Sequence, residues 1–151
     1  LTGYNTDVYG FKSSLETHLS NKIDKALILG TGGAADAVAY ALDELGIRYT
    51  FVSRKKHNEK SYIQYNTIDE ELIAANKLII QSTPLGMYPH VTKKPDIPYQ
   101  FLTDEHILYD LIYNPEETLF LKKGRERSAK VINGLEMLIA QAEKAWELFN
   151  S

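Results

Sequence analysis

The sequence predicts an α/β fold: an open, doubly wound, mostly parallel sheet of six strands with helices on both faces. Three observations carry that reading. Short apolar runs rich in Ile, Leu and Tyr alternate along the chain with longer segments whose apolar residues recur at helical spacing. One run, residues 26–29 (ALIL), breaks at Gly30 and passes straight into a small-residue helical pattern. Finally, Ser53, Thr83, Tyr113 and Gly134 each fall just past a run, where the strand C-termini of such a sheet gather.

The elements follow in order. Val8, Phe11, Leu15 and Leu19 recur at helical spacing and predict a helix over 8–20, followed by the polar stretch 20–25. Residues 26–29 read as a buried strand, 33–45 as a helix and 48–52 (RYTFV) as a second strand. A third strand is expected at 61–65 (SYIQY). The charged stretch 55–60 before it is too short for the usual crossover helix, which implies a helix trimmed to a loop. Thr67 and Glu70 have capping-box spacing ahead of Leu72 and Ile73, which predicts a helix starting at Thr67. A fourth strand at 77–82 (KLIIQS) breaks at Thr83-Pro84-Leu85-Gly86-Met87 into a long loop containing Pro89, Pro95 and Pro98. The fifth strand, 107–112, ends in Tyr113-Asn114-Pro115, and Pro115 is placed at the start of a helix over 116–127 because its missing N–H would be unpaired there anyway. A sixth strand at 129–132, a turn at Asn133-Gly134 and a helix over 135–149 complete the chain. The expected strand order is 3-2-1-4-5-6.

Bulk properties narrow the function. A chain of 151 residues is one domain by length, with enough material for a real core. A net charge of −3 and the lack of a basic stripe argue against nucleic acid as a partner. No apolar run approaches the roughly 20 residues that cross a membrane. No signal-peptide pattern is present, so a cytoplasmic location is expected. The absence of cysteine excludes disulfides and thiolate chemistry, and His18, His57, His90 and His106 show no metal-ligand spacing, so no metal site is expected. The chain opens at Leu1 and is inside a motif-like segment by Gly3, which reads as a piece of something longer or a processed product.

The strand-to-helix switch carries the chemistry. Gly30, Gly32 and Ala35 match the G-x-G-x-x-[G/A] spacing of the Rossmann-like dinucleotide turn. Gly30 permits the tight turn, Gly32 lets a pyrophosphate approach the main chain, and Ala35 lets helix pack on strand. The loop Gly30-Thr31-Gly32-Gly33-Ala34 then presents backbone N–H groups and the positive end of the helix dipole to phosphate. The competing reading is an ordinary strand-to-helix turn without a ligand. The second strand bears on which dinucleotide is bound. An NAD site wants Asp or Glu about 20 residues past the glycines to hold the ribose 2′-OH. Here the strand ends in Ser53-Arg54-Lys55-Lys56, with no carboxylate, and a guanidinium can grip a 2′-phosphate bidentately. NADP is the expected cofactor; a solvated basic loop is the alternative.

Five segments together resemble the cofactor-binding half of shikimate dehydrogenases. They are Gly3-Tyr4-Asn5-Thr6-Asp7 with Gly10, the Gly30–Ala34 loop, Ser53-Arg54-Lys55, Ser82-Thr83-Pro84-Leu85-Gly86-Met87, and the C-terminal pair formed by residues 109–115 (YDLIYNP) and 133–142 (NGLEMLIAQA). The resemblance covers nearly the whole chain in order. It implies reversible hydride transfer between NADP(H) and the C–O carbon of shikimate or 3-dehydroshikimate, with a general acid/base at the oxygen. It further implies that residues 1–24 are a linker helix from an N-terminal substrate domain missing here, and that 25–151 form the NADP-binding domain. Asp7 aligns with the aspartate of the family's Lys–Asp pair, and its lysine falls in the missing domain, so the isolated chain is expected to be inactive. Tyr113 and Gln141 align with substrate-binding residues, and Leu111, Gly134 and Met137 with positions around the nicotinamide end of the cofactor; Thr83, at the tip of the fourth strand, can bond a ribose or phosphate. Read from residue types alone, Asp7 is equally a helix N-cap, Thr83 a cap before Pro84, and Met137 plain core.

The chain departs from the family pattern at three places. Ser-Arg-Lys stands where Asn-Arg-Thr is usual, Glu136 replaces a commonly small residue and is expected to face solvent, and the short 55–60 crossover leaves the adenine side of the pocket looser. Three other functions stay open: a non-catalytic dinucleotide-binding module, a quinate/shikimate dehydrogenase of broader range, and a folate- or tRNA-linked relative with the same fold. Leu15, Leu19, Trp146 and Phe149 are expected to form an apolar patch that favours self-association.

Overall fold

Side chains of a strand point alternately to opposite faces, and here that alternation sorts the apolar residues into two cores. The computed structural model describes residues 5–20, 22–59 and 61–151; Gly3 and Tyr4 of the opening motif lie outside the described residues. The central strand β1 (Lys25–Leu29) pairs in parallel with β2 (Arg48–Ser53) on one side and β4 (Leu78–Gln81) on the other. Beyond them, β3 (Tyr62–Gln64) pairs with β2, β5 (Ile107–Asp110) with β4, and β6 (Lys130–Ile132) with β5, all parallel. The order β3-β2-β1-β4-β5-β6 is the expected one.

Ala26, Ile28, Phe51, Leu78, Ile80 and Tyr109 face the first core, which α1 (Thr6–Glu16), α2 (Gly33–Leu45) and α5 (Leu135–Phe149) cover through Phe11, Leu15, Val38, Leu42 and Met137. Leu27, Leu29, Val52, Ile79 and Leu108 face the second, under α3 (Glu70–Ala75) and α4 (Leu119–Glu126), through Ile73, Phe120 and Leu121. Full burial of each such aliphatic side chain stabilises the fold by about 1.5–3 kcal/mol. The first core also holds α1 by contacts of a second kind. The Phe11 ring meets Tyr109 edge-on at 4.9 Å, and the Tyr109 hydroxyl donates to Ser14 Oγ at 2.8 Å.

Local capping moves several expected boundaries. α1 begins at Thr6 because Asn5 Oδ1 accepts from the N–H groups of Asp7, at 2.8 Å, and Val8. Asp7 is therefore not the cap; it sits in the first turn. The third helix is capped by Asp69, whose Oδ1 accepts from Leu72 N at 2.9 Å, rather than by Thr67. Thr67 donates instead to the Gln64 carbonyl at 2.7 Å, closing a 3₁₀ turn over Tyr65–Thr67. A carboxylate interacts with the helix dipole more strongly than a hydroxyl, so the later residue wins. α4 starts at Leu119 with Thr118 as its cap, not near Pro115. As expected, no helix lies between β2 and β3 among the described residues.

Thr118 is held by a buried carboxylate. Asp110 Oδ2 accepts from Thr118 Oγ1 at 2.7 Å and Asp110 Oδ1 accepts from Ile112 N at 3.0 Å, which ties the end of β5 to the start of α4. Burial pushes the Asp110 carboxyl from its ordinary 3.8 up to about 7, against the pull of those two bonds. The folded protein holds this proton more tightly than the unfolded chain. Its contribution to stability is thus full below the unfolded value of 3.8 and is lost as pH rises through about 7. Thermal unfolding followed across that window is expected to show this loss, and Asp110→Asn to flatten it. A stability that rises through the window with the same slope in both proteins contradicts the assignment.

Candidate nucleotide and substrate site

The C-terminal end of β1 is stitched to both neighbours before the chain turns. Gly30 N donates to the Val52 carbonyl at 2.9 Å, while Ser82 N and Ser82 Oγ both donate to the Leu29 carbonyl, at 2.9 and 2.7 Å. Gly30 has φ +121°, and a Cβ there would lie 2.5 Å from Ser82 Oγ, so both backbone and space require glycine. Thr31, Gly32, Gly33 and Ala34 are exposed above this turn. Gly32 caps α2 without a side-chain hydrogen bond, leaving the first-turn N–H groups without an internal acceptor. A Cβ on Gly32 or Gly33 would meet nothing within 4 Å. The turn therefore offers what a diphosphate needs: unpaired donors, the positive end of a 13-residue helix, and room for close approach.

At the end of β2, Ser53 is buried and its Oγ accepts from Lys55 N at 3.0 Å, curling the chain so that Arg54, Lys55 and Lys56 are exposed. His57 Nε2 lies 3.2 Å from the same Ser53 Oγ. Gln64 Nε2 reaches the Arg54 carbonyl at 3.5 Å. Burial pushes the neighbouring Tyr65 hydroxyl up to about 12, and the positive charge of Arg54 pulls against it, so the guanidinium is within electrostatic reach of that ring. The strand end carries no carboxylate.

Past β4, Gln81 is fully buried and organises the loop. Its Oε1 accepts from Thr83 Oγ1 at 2.8 Å, its Nε2 donates to the Leu85 carbonyl at 3.0 Å, and Thr83 Oγ1 accepts from Leu85 N at 3.3 Å. The Thr83 proton is thus spent inside the loop. Past β5 and β6 the backbones press together: Leu111 N donates to the Gln81 carbonyl at 3.1 Å and Gly134 N to the Ile112 carbonyl at 3.0 Å. A Cβ on Gly134 would sit 1.9 Å from the Leu111 carbonyl oxygen. Tyr113, 50% exposed, stands just beyond, and Met137, one turn into α5, is buried in the first core.

Asp7 and Gln141 are brought together from opposite ends of the chain. Gln141 Nε2 donates to Asp7 Oδ1, α1 crossing α5 at Gly10. A Cβ on Gly10 would lie 2.7 Å from the Met137 carbonyl oxygen and 2.5 Å from Gln141 Cγ, so only glycine permits this approach. Gln141 is half-buried rather than fully buried, and the acceptor its amide needs is a residue of this chain. A cleft of about 660 Å³ runs along α1 and α2, lined by Asn5, which caps α1, and by Tyr9 and Lys12 of α1 and Gly33, Tyr40 and Glu44 of α2. Asn5, two residues before Asp7, and Gly33 of the glycine turn line this same cleft.

Two expectations about surfaces divide. Glu136 is half exposed and accepts a contact from His18 Nε2 at 3.1 Å, next to the C-terminal end of α1. Of the expected apolar patch, Trp146 and Phe149 are 70% and 80% exposed, but Leu15 is fully buried beneath α1 and Leu19 packs half-buried on the core. The helical spacing that marks Leu15 is the spacing of the core face. Three residues that shape the site are not singled out by the sequence reading: Asn5 as the cap of α1, Gln81 and His57. Asn5 could be read as a cap residue ahead of an apolar-periodic segment, and Gln81 as a polar residue inside a buried run; nothing local marks His57.

Among the described residues there is no group of three or more His, Asp or Glu that could hold a metal ion, and no helix long and apolar enough to cross a membrane. The parallel sheet, the strand order and the glycine turn opening onto an uncapped helix define a Rossmann-like α/β domain built to receive a dinucleotide. No protein-family model matches the chain. It is 41% identical over 160 residues to the shikimate dehydrogenase (NADP(+)) of Carboxydothermus hydrogenoformans, covering 97% of this chain and 57% of that protein. The crystal structure of quinate dehydrogenase from Corynebacterium glutamicum in complex with NAD matches with a TM-score of 0.84 at 31% identity, over 97% of this chain and 57% of that one. The shikimate 5-dehydrogenase of Thermus thermophilus in complex with NADP(H) and shikimate matches with a TM-score of 0.79 at 29% identity, over 97% and 56%. Nearly the whole chain matches curated shikimate dehydrogenases (NADP(+)), and it spans about 57% of their length, their C-terminal half.

Proposed function

We propose that this chain is the nucleotide-binding part of an NADP-dependent shikimate dehydrogenase that interconverts 3-dehydroshikimate and shikimate. The observation that carries the reading is the pairing of the open glycine turn with a carboxylate-free, basic strand end at Ser53–Lys56. Backbone N–H groups of Thr31, Gly32, Gly33 and Ala34 hold the pyrophosphate after the turn at Gly30. Arg54 and Lys55 hold the 2′-phosphate, with Ser53 shaping their loop. Leu111, Gly134 and Met137 bound the nicotinamide side, and Thr83, in the loop it builds with Gln81, lies toward a ribose or phosphate. When bound, the cofactor exchanges a hydride with the C–O carbon of the substrate.

This chain's own residues would orient the other reactant. Gln141 fixes one oxygen of Asp7, leaving the second free to accept from a substrate hydroxyl. As a carboxylate, Asp7 favours the protonated form of a lysine brought beside it; no lysine of this chain is assigned that role. Gln141 and Tyr113 complete the substrate contacts. Residues 1–24 then act as the connecting segment and 25–151 as the nucleotide domain, in a cytoplasmic enzyme. Self-association through the Trp146–Phe149 end of α5 belongs to the same proposal.

Titration of the protein with NADPH and NADH, read by nucleotide fluorescence, tests the cofactor. NADPH is expected to bind more tightly, and Arg54→Ala to weaken NADPH by about tenfold or more while leaving NADH nearly unmoved, since hydrogen bonds to charged groups are worth about 1.5–3 kcal/mol. Equal affinity for the two nucleotides contradicts NADP as the cofactor.

A further inference from the structure

A loop with no helix joins β2 to β3, yet it must hold three cations where a phosphate can reach them. One residue inside it makes contacts in several directions. The His57 ring stacks on Tyr62 of β3 at 4.3 Å between centroids and 19° between planes, and Tyr62 stacks in turn on Phe51 of β2 at 4.9 Å. His57 Nε2 faces Ser53 Oγ at 3.2 Å, while its Nδ1 lies 3.8 Å from Glu59 Oε2. Because Ser53 Oγ already accepts from Lys55 N, its own proton is free to be donated to His57 Nε2. That arrangement leaves the ring proton on Nδ1, toward Glu59. The result is a directional chain from the Lys55 backbone through Ser53 to His57, anchored on the sheet by the Tyr62 ring.

We propose that His57 is a positioning residue for recognition of the 2′-phosphate: it acts through Ser53 to hold Arg54 and Lys55 in the conformation that tells NADP from NAD. This rests on the cofactor reading above. Besides the 3.5 Å contact of Gln64 Nε2 with the Arg54 carbonyl, the clamp backbone is held through Ser53, a single hydroxyl that can rotate away from Lys55. With His57 in place the hydroxyl has an acceptor on one side and a donor on the other. His57 touches neither the diphosphate turn nor the Asp7–Gln141 pair, so its effect falls on the part of the ligand that NAD lacks.

The test is the dissociation constant of NADPH and of NADH for the unsubstituted protein, His57→Ala and His57→Gln, with thermal melts as the check on folding. His57→Ala is expected to raise the constant for NADPH by about 3- to 10-fold, the size of one lost hydrogen bond, and to move that for NADH by less than about twofold. His57→Gln, whose amide oxygen reaches where Nε2 stood, is expected to restore most of the preference. An unchanged preference in His57→Ala, or a parallel loss for both nucleotides, overturns the proposal while leaving the cofactor reading intact. No preference for NADPH in the unsubstituted protein overturns the cofactor reading and this proposal together.

Discussion

On the proposed function, replacing Asp7 by alanine in an enzyme that also carries the substrate domain is expected to lower kcat/KM for shikimate oxidation by about 10²- to 10⁴-fold, the range over which a positioned acid/base system contributes. The loss follows from geometry. Asp7 sits in the first turn of α1, one oxygen accepting from Gln141 and the other without a hydrogen-bond donor among the described residues. Its structural contribution is small by comparison. Asn5, not Asp7, caps the helix, so the variant loses a first-turn charge, worth about 0.3–1 kcal/mol, and the exposed bond from Gln141, worth about 0.5–1.5 kcal/mol. Steady-state kinetics on the enzyme together with its melting temperature separate the two effects: a large fall in rate with a small thermal shift is expected. Retained turnover in the variant would remove Asp7 from the reaction.

Gly134→Ala is expected to be the most destabilising small substitution in the site. The added methyl would lie 1.9 Å from the Leu111 carbonyl oxygen and 2.6 Å from its carbon, both backbone atoms that cannot rotate away. Relief requires the ends of β5 and β6 to separate, which breaks the bond from Gly134 N to the Ile112 carbonyl and disturbs the start of α5. Overpacking and a lost backbone bond together predict a loss of about 3–4 kcal/mol in urea unfolding. Gly32→Ala makes the informative contrast. Its methyl meets nothing within 4 Å, so the fold should tolerate it while nucleotide affinity falls, because the open space it fills is where a diphosphate would approach. Equal stability of the two variants would show that the contact at Gly134 relaxes at little cost.

Part of the molecule is legible in its residues alone. Strand-to-helix alternation, the glycine spacing and the basic end of β2 are local patterns, set by side-chain periodicity and by residues adjacent in sequence, and α2 and α5 end where the periodicity ends. Boundaries set by competition among polar groups are not legible in the same way. Thr67 and Asp69 both can cap, and the carboxylate prevails; Pro115 can open a helix, and Thr118 does so because buried Asp110 holds it. Leu15 is expected in an exposed patch although its spacing is that of a core position, since helical periodicity tells which residues share a face without telling what covers it.

The sequence by itself determined the architecture, the strand order, the glycine turn and the basic end of β2. All of these are written in neighbouring residues, whose propensities and spacing act over one or two turns. Only the tertiary structure decided that Asp7 and Gln141 meet, that Gly10 lets their helices approach, that Gly134 is wedged against Leu111, and that His57 stacks on Tyr62 beside Ser53. Those contacts join residues far apart in the chain, or depend on how closely two backbones can pack. Close packing and hydrogen-bond direction select them once the sheet has brought its strand ends together.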